Sequence, residues 1–194
     1  MPIAGLPGHP SSRRIVAATL AAAIRPPERL PFPEWLPRNI KLVDGPLAGE
    51  MWDAAGAPYL LGIAECLGDD HPCNLVTVRK CQQSGASILG LSWCLYIADR
   101  EPANTLYAVP GIEALKALNS KKFQPLADAF HETVGREVIL PQMSRSGDGS
   151  TTYEKKFRGG FLQFGNANAV MNLSMITTRK GVKDEVSKWQ DIPG

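Results

Sequence analysis

The sequence has little net charge and no apolar run long enough to cross a membrane. Its formal net charge is +2 over 194 residues, with a pI near 8.4, so bulk charge does not indicate a nucleic-acid-binding protein. The alanine-rich stretch at 15–24 is about half the length of a membrane span. It runs into Arg25-Pro26-Pro27 rather than a small-residue cleavage site. We therefore predict a short helix over 13–25 and no membrane association.

The cysteines also follow no familiar zinc-binding pattern. They stand at positions 66, 73, 81 and 94, and His71 is a lone histidine beside Cys73. We interpret all of them as reduced thiols. Cys94 follows a run of apolar residues, which favours a place in the hydrophobic core.

Strand-like and helix-like segments alternate along the chain, without internal repeats. The patterns predict strands at 75–78, 105–109 and 138–140, and a hairpin at 153–164 that turns at Arg158-Gly159. They predict helices at 60–68, 87–98, 112–130 and 167–174, the third of them broken at Pro125. A turn-rich loop at 142–150 and a proline-rich extended connector at 26–37, which Phe32 and Trp35 anchor, complete the prediction. Such alternation is typical of an α/β fold with a mainly parallel sheet flanked by helices. We divide the chain into an N-terminal arm, 1–45, with a disordered start, and a main domain, 46–194.

The segment KCQQSGAS, residues 80–87, joins a predicted strand to a predicted helix. A P-loop has the same order and the pattern G-x-x-x-x-G-K-[ST]. Gly85 and Ser87 fit this pattern, but Ala86 takes the lysine position and Lys80 stands where the first glycine is expected. The alternative is an ordinary polar turn of an α/β protein that binds no nucleotide.

A phosphate chain needs backbone N–H groups, a helix N terminus and nearby cations. This loop offers all of them, because Gly85 permits close backbone approach and Lys80 supplies a positive charge. The predicted phosphate contacts are Lys80, Gln82, Gln83, Ser84, Gly85, Ala86 and Ser87. The Ser87 hydroxyl is also the predicted ligand of a Mg²⁺ ion.

Asp184 and Glu185 follow a short, weakly apolar run at 177–183. ATPases of this type need one acid that holds the metal and a second group that activates the attacking water. We therefore predict Asp184 as a metal-binding residue and Glu185 as the catalytic carboxylate. An exposed acidic pair beside Lys183 and Lys188 is the alternative that residue chemistry leaves open.

Taken in order, five segments resemble the large subunit of a phage terminase, of the type represented by the phage lambda A protein. They are 52–60 (WDAAGAPYL), 76–87 (VTVRKCQQSGAS), 107–110 (YAVP), 156–169 (KFRGGFLQFGNANA) and 181–186 (GVKDEV). The resemblance extends from about residue 15 to the end of the chain. The Gly-Gly segment at 156–169 is the most specific of the five.

The resemblance implies a P-loop NTPase of the RecA-like (ASCE) type that uses ATP and Mg²⁺. Such a motor drives double-stranded DNA through the portal protein into a procapsid, together with a small terminase subunit, in the cytoplasm of the bacterial host. It makes Lys80 the phosphate-binding and catalytic lysine of Walker A. By the same resemblance, Ser87 is one metal ligand and Asp184, as the Walker B acid, is the other. Glu185 is the catalytic carboxylate.

Two further roles follow from the same resemblance. Tyr59 or Trp52 would stack on adenine, although core packing explains either aromatic residue equally well. Basic residues at 155–158 are one candidate DNA contact.

The chain departs from the family in several places. Gln82 occupies a position where many terminases carry an arginine, so Arg79 or Lys80 would have to stabilise the transition-state charge. The sequence ends nine residues after Glu185, which leaves no room for a nuclease domain. This implies an N-terminal fragment or a truncated gene product. Two other functions remain open: a non-catalytic module whose N-terminal helix binds a small terminase subunit or the portal, and a small-molecule kinase.

Overall fold

The computed structural model describes residues 12–23, 29–142, 149–168 and 177–189. Its helices are α1 (Ser12–Ala23), α2 (Phe32–Asn39), α3 (Tyr59–Cys66), α4 (Ala86–Arg100), α5 (Ile112–Leu118) and α6 (Gln124–Val134). A π-helical turn (Asn119–Phe123) joins α5 to α6, and short 3-10 turns cover Ala54–Gly56 and Val186–Lys188. Within these residues, every helix is too short or too polar to cross a bilayer. The predicted disordered start, the helix at 167–174 and the loop at 142–150 lie largely outside the described residues.

The sheet contains β1 (Thr105–Val109), β2 (Glu154–Phe157), β3 (Gly160–Asn166) and β4 (Lys180–Lys183) in the order β2-β3-β1-β4. The central strand β1 runs parallel to both β3 and β4, while β2 pairs antiparallel with β3. The predicted strand at 105–109 and the hairpin are therefore confirmed, as is a mainly parallel α/β sheet flanked by helices. Because β1 and β4 are parallel neighbours, their carboxyl ends lie at the same edge.

An aromatic cluster from α2, α4 and α6 forms part of the core. Phe32 and Trp35 of α2 are fully buried and pack against Tyr96 of α4 and Phe130 of α6. The Trp35 indole N–H donates a hydrogen bond of 2.8 Å to Asp99 Oδ2. Helix α4 is apolar along nearly its whole length because it packs against α2, α3 and β3.

The extended connector predicted over 26–37 is wrong over its second half, because residues 32–39 form α2. Pro33 lies in the first turn, where its missing N–H removes no helical hydrogen bond. Pro37 lies in the last turn, two residues before the helix ends. Burial of Phe32 and Trp35 stabilises this short helix, so tertiary packing outweighs its proline content.

The long helix predicted over 112–130 is interrupted, although not at Pro125. The interruption is the π turn at Asn119–Phe123, and Pro125 falls in the first turn of α6. The short strand predicted at 138–140 is reduced to an isolated bridge between Ile139 and Phe157.

The strand predicted at 75–78 is wrong. Residues 75–80 have no regular secondary structure, and Leu75 is 83% exposed. An apolar run becomes a strand only where a neighbouring strand satisfies its backbone groups. In the described part of the chain, the sheet ends at β4 and provides no such partner for this run.

Replacing Trp35 with alanine should destabilise the fold by about 3–5 kcal/mol, since it empties a fully buried site and removes the indole hydrogen bond. Leu75→Ala should change the free energy of unfolding by less than about 0.5 kcal/mol, because that side chain is exposed. Urea denaturation followed by circular dichroism measures both values. A large destabilisation by Leu75→Ala would show that residues 75–78 are a buried strand after all.

Candidate functional site

The carboxylate of Asp184 is the centre of the site. Its Oδ1 accepts hydrogen bonds from Lys80 Nζ at 2.6 Å and from the backbone N–H of Glu185 at 2.9 Å. Its Oδ2 accepts from Ser87 Oγ at 2.8 Å and from the Tyr107 hydroxyl at 2.9 Å. Lys80 Nζ also lies 2.9 Å from Ser87 Oγ. The structure therefore brings together three of the predicted site residues, Lys80, Ser87 and Asp184.

Three regular elements and one loop position these groups. Asp184 directly follows β4, and its backbone N–H donates to the carbonyl of Ala108 on β1 at 2.9 Å. Tyr107 lies on β1, so its hydroxyl reaches Asp184 from the adjacent strand. Ser87 is the second residue of α4, and Lys80 lies at the start of the loop that leads into that helix. The carboxyl edge of the sheet and the N terminus of α4 thus meet at one carboxylate.

The loop before α4 has two residues in the left-handed region. Gln83 has φ 58° and Gly85 has φ 75°. A Cβ at Gly85 would also approach Leu60 Cδ1 to 3.1 Å, so only glycine suits this position. Within the described residues, no side chain caps the start of α4. Backbone N–H groups are therefore available for an anion at this loop, as in other anion-binding turns.

Tyr59, the first residue of α3, contacts the same loop. Its hydroxyl donates a hydrogen bond of 2.9 Å to the carbonyl oxygen of Ser84. The Tyr59 side chain is largely exposed, whereas Trp52 is buried with 5% exposure. Core packing therefore explains Trp52, and adenine stacking by Trp52 is wrong because its ring is buried.

The electrostatics of the site favour an ionised Asp184. Burial by itself raises the pKa of this carboxyl group, but hydrogen bonds from Lys80, Ser87 and Tyr107 outweigh burial and hold its pKa below the usual 3.8. Burial and the adjacent Asp184 charge raise the pKa of Tyr107 well above its ordinary value, so this phenol remains a hydrogen-bond donor. The carboxylate therefore stays negative at neutral pH.

The carboxylate of Glu185 does not join this group. Glu185 contributes only its backbone N–H, and its Oε2 lies 3.0 Å from Lys188 Nζ. The residue has φ 51°, which directs the chain into the 3-10 turn that follows. Interpreting Asp184 and Glu185 as an exposed acidic pair is wrong for Asp184, which is 8% exposed.

Two predicted features need correction or addition. Lys155, from the candidate DNA patch at 155–158, is 1% exposed and its Nζ lies 3.3 Å from Gln124 Oε1, so it cannot contact DNA. Sequence reasoning gave Tyr107 no role at the site, although its hydroxyl contacts Asp184. A tyrosine inside an apolar strand is usually a core residue, and only the pairing of β1 with β4 reveals its polar contact.

A cavity of about 450 Å³ lies on another part of the domain. Its lining includes Asn119, His131 and Lys155. Lys80, Ser87 and Asp184 do not line this cavity, so it is separate from the candidate site.

Lys80→Met should raise the pKa of Asp184, because it removes the cation whose hydrogen bond and charge lower that pKa, while burial continues to raise it. The folded-state pKa is depressed in the wild type, so this contribution to stability is present above the unfolded pKa. It is lost as the pH falls through the folded pKa. Carboxyl ¹³C chemical shifts measured across an acid titration report the change. Lys183→Met, at an exposed position next to Asp184, is the control, and an unchanged Asp184 pKa in Lys80→Met would contradict the pairing.

The family profile of the phage terminase large subunit gpA ATPase domain matches residues 47–193. No curated protein and no solved structure gives a significant match. The matched region contains the loop at 80–87, all four strands of the sheet and Asp184. Since the match covers most of the sequence, this chain belongs to the family of phage terminase large-subunit ATPase domains.

Proposed function

We propose that this chain is the ATP-binding and ATP-hydrolysing motor segment of a terminase large subunit. The observation that carries the proposal is the convergence of Lys80 and Ser87 on the Asp184 carboxylate, beside a loop with free backbone N–H groups. A P-loop NTPase joins a lysine, a hydroxyl group and an acid at the same place. The motor would power packaging of double-stranded DNA into procapsids.

The loop at 82–87 and Lys80 would bind the phosphates of ATP. Backbone N–H groups would donate hydrogen bonds to the phosphate oxygens, from around Gln83 and Gly85 and from the start of α4. These bonds do not require a charged side chain to leave water. Lys80 is held against Asp184 in the structure, with a quarter of its side chain exposed. On nucleotide binding, its ammonium group would exchange the carboxylate for a phosphate.

The donor atoms at the site suit Mg²⁺. Ser87 Oγ and the Asp184 carboxylate are hard oxygen ligands, and they already lie 2.8 Å apart. These two residues would hold the ion, directly or through water. When bound, Mg²⁺ supplies charge neutralisation at the phosphates. Tyr107, which donates to Asp184 Oδ2, orients the carboxylate.

Glu185 is the proposed base for the attacking water. Its carboxylate is partly exposed and pairs with Lys188, an ion pair that is weak at a solvated position. Release from Lys188 would free the carboxylate to accept a proton from water. Tyr59, at the edge of the loop, is the proposed adenine contact.

The remaining proposals concern partners. Arg158 is exposed at the hairpin turn, and we propose it as a DNA phosphate contact in place of Lys155. The small terminase subunit and the portal protein are the proposed protein partners, in the cytoplasm of the bacterial host.

A non-catalytic interaction module is the second candidate. It is favoured by α1, whose residues Ile15, Val16 and Leu20 are all more than half exposed. Such a helix offers apolar surface to a partner protein. A measurement of ATP binding distinguishes the two candidate functions, since only the motor segment requires Mg²⁺-dependent ATP binding.

Lys80→Ala should weaken ATP binding on the order of 10- to 100-fold, as expected for loss of a charge-assisted hydrogen bond worth about 1.5–3 kcal/mol. Isothermal titration calorimetry with ATP and Mg²⁺ measures the change. Lys183→Ala removes an equal charge at an exposed position next to Asp184 and should bind ATP like the wild type. Absence of Mg²⁺-dependent binding by the wild type would eliminate the motor proposal and favour the interaction module.

Glu185→Gln should leave ATP affinity nearly unchanged and lower the hydrolysis rate by about 10²–10⁴-fold, the usual contribution of a general base. A phosphate-release assay on the wild type and the variant gives the ratio. Glu113→Gln is a matched control, because Glu113 also pairs with a lysine three residues later at 2.9 Å. Equal hydrolysis rates in Glu185→Gln and the wild type would exclude Glu185 as the base.

A further inference from the structure

A second group of chemically active side chains lies between α3 and the loop at 80–87. The ligand atoms of Cys66, His71 and Cys73 all lie within 4.8 Å of one another. Cys66 is the last residue of α3, and Cys73 precedes the irregular segment at 74–80. The proposed nucleotide chemistry uses none of these three residues.

We propose that Cys66, His71 and Cys73 bind one zinc ion. Two thiolates and an imidazole are a donor set that suits zinc, whereas Mg²⁺ and Ca²⁺ prefer oxygen ligands. Ligand atoms around a tetrahedral zinc lie about 3.3–3.8 Å from one another, given bond lengths of about 2.0–2.3 Å. Small side-chain rotations would therefore close the group around an ion, with water in the fourth position.

Local structure supports a cation at this place. Cys66 lies at the carboxyl end of α3, where the backbone carbonyl groups favour positive charge. The Nδ1 atom of His71 accepts a hydrogen bond of 3.2 Å from the backbone N–H of Cys73. A neutral imidazole nitrogen that accepts a hydrogen bond carries a lone pair that can bind a metal ion. Zinc would replace this long hydrogen bond.

The zinc ion would also hold together a loop that anchors the sheet. Asp69 lies between the proposed ligands, and its carboxylate contacts Lys180 Nζ at 2.9 Å and Arg179 at 3.1 Å. Lys180 begins β4, the strand that ends next to Asp184. Zinc binding at 66–73 would therefore stabilise both the start of β4 and the segment that leads to Lys80. This inference is independent of ATP binding.

The test uses the whole chain, stripped of metal with a chelator and kept under a phosphine reductant. Titration with Zn²⁺ should show one ion per chain and raise Tm by differential scanning fluorimetry. Titration with Co²⁺ should produce a sulfur-to-cobalt charge-transfer band in the near ultraviolet and visible bands of tetrahedral cobalt. Cys66→Ser and Cys73→Ser should each abolish the charge-transfer band or strongly reduce it, and His71→Ala should weaken Zn²⁺ affinity at least tenfold.

Cys81→Ser is the matched control, because Cys81 is an exposed thiol outside the group. It should retain the cobalt spectrum and the zinc-dependent rise in Tm. Far-ultraviolet circular dichroism of each variant separates loss of metal from loss of fold. The proposal fails if the reduced wild type takes up no zinc. It also fails if the cobalt spectrum survives both cysteine substitutions.

Discussion

The buried negative charge of Asp184 is the constraint on which the rest of the site depends. A carboxylate removed from water is tolerated only when cations and hydrogen-bond donors surround it. Lys80, Ser87, Tyr107 and the Glu185 N–H meet this requirement together. They come from the loop, from α4, from β1 and from the end of β4. One ionised group thus fixes the relative positions of four parts of the fold.

This arrangement also explains why β4 can be short and weakly apolar. The strand has four residues and lies at the edge of the sheet in the described part of the chain. Ion pairs from Lys180 to Asp69 and Glu101 hold its beginning, and the Lys180 ammonium also lies 5.5 Å from the Trp93 ring centroid. Asp184 holds its end. Polar contacts at both ends therefore stabilise β4, whereas buried apolar side chains stabilise β1.

Under the proposed function, the same geometry allows Lys80 and Asp184 to exchange partners when a nucleotide binds. Lys80 neutralises Asp184 before any phosphate arrives, so the free site does not expose an unpaired charge. A phosphate and a hard cation would divide this pair, with the lysine taking the phosphate and the carboxylate taking the metal. The terminase ATPase family profile covers both residues of this pair, and the proposed chemistry agrees with that family.

Much of the fold could be predicted from local pattern. Apolar periodicity located α3, α4 and β1, and the Arg158-Gly159 turn located the hairpin. Pattern failed where tertiary contacts decide the outcome. Leu75 belongs to an apolar run without a strand partner, and α2 forms despite its prolines because Trp35 is buried.

For this protein, the sequence by itself determined which residues are proposed for phosphate and metal binding. A lysine, a glycine and a serine in one loop, with an aspartate 104 residues beyond the lysine, indicate phosphate and metal binding from residue type and order. Only the tertiary structure decided which groups meet. It added Tyr107 to Asp184, directed the Glu185 side chain to Lys188, and assembled Cys66, His71 and Cys73. The physical reason is that spacing encodes local backbone geometry, whereas contacts between distant side chains depend on how strands pair and loops pack.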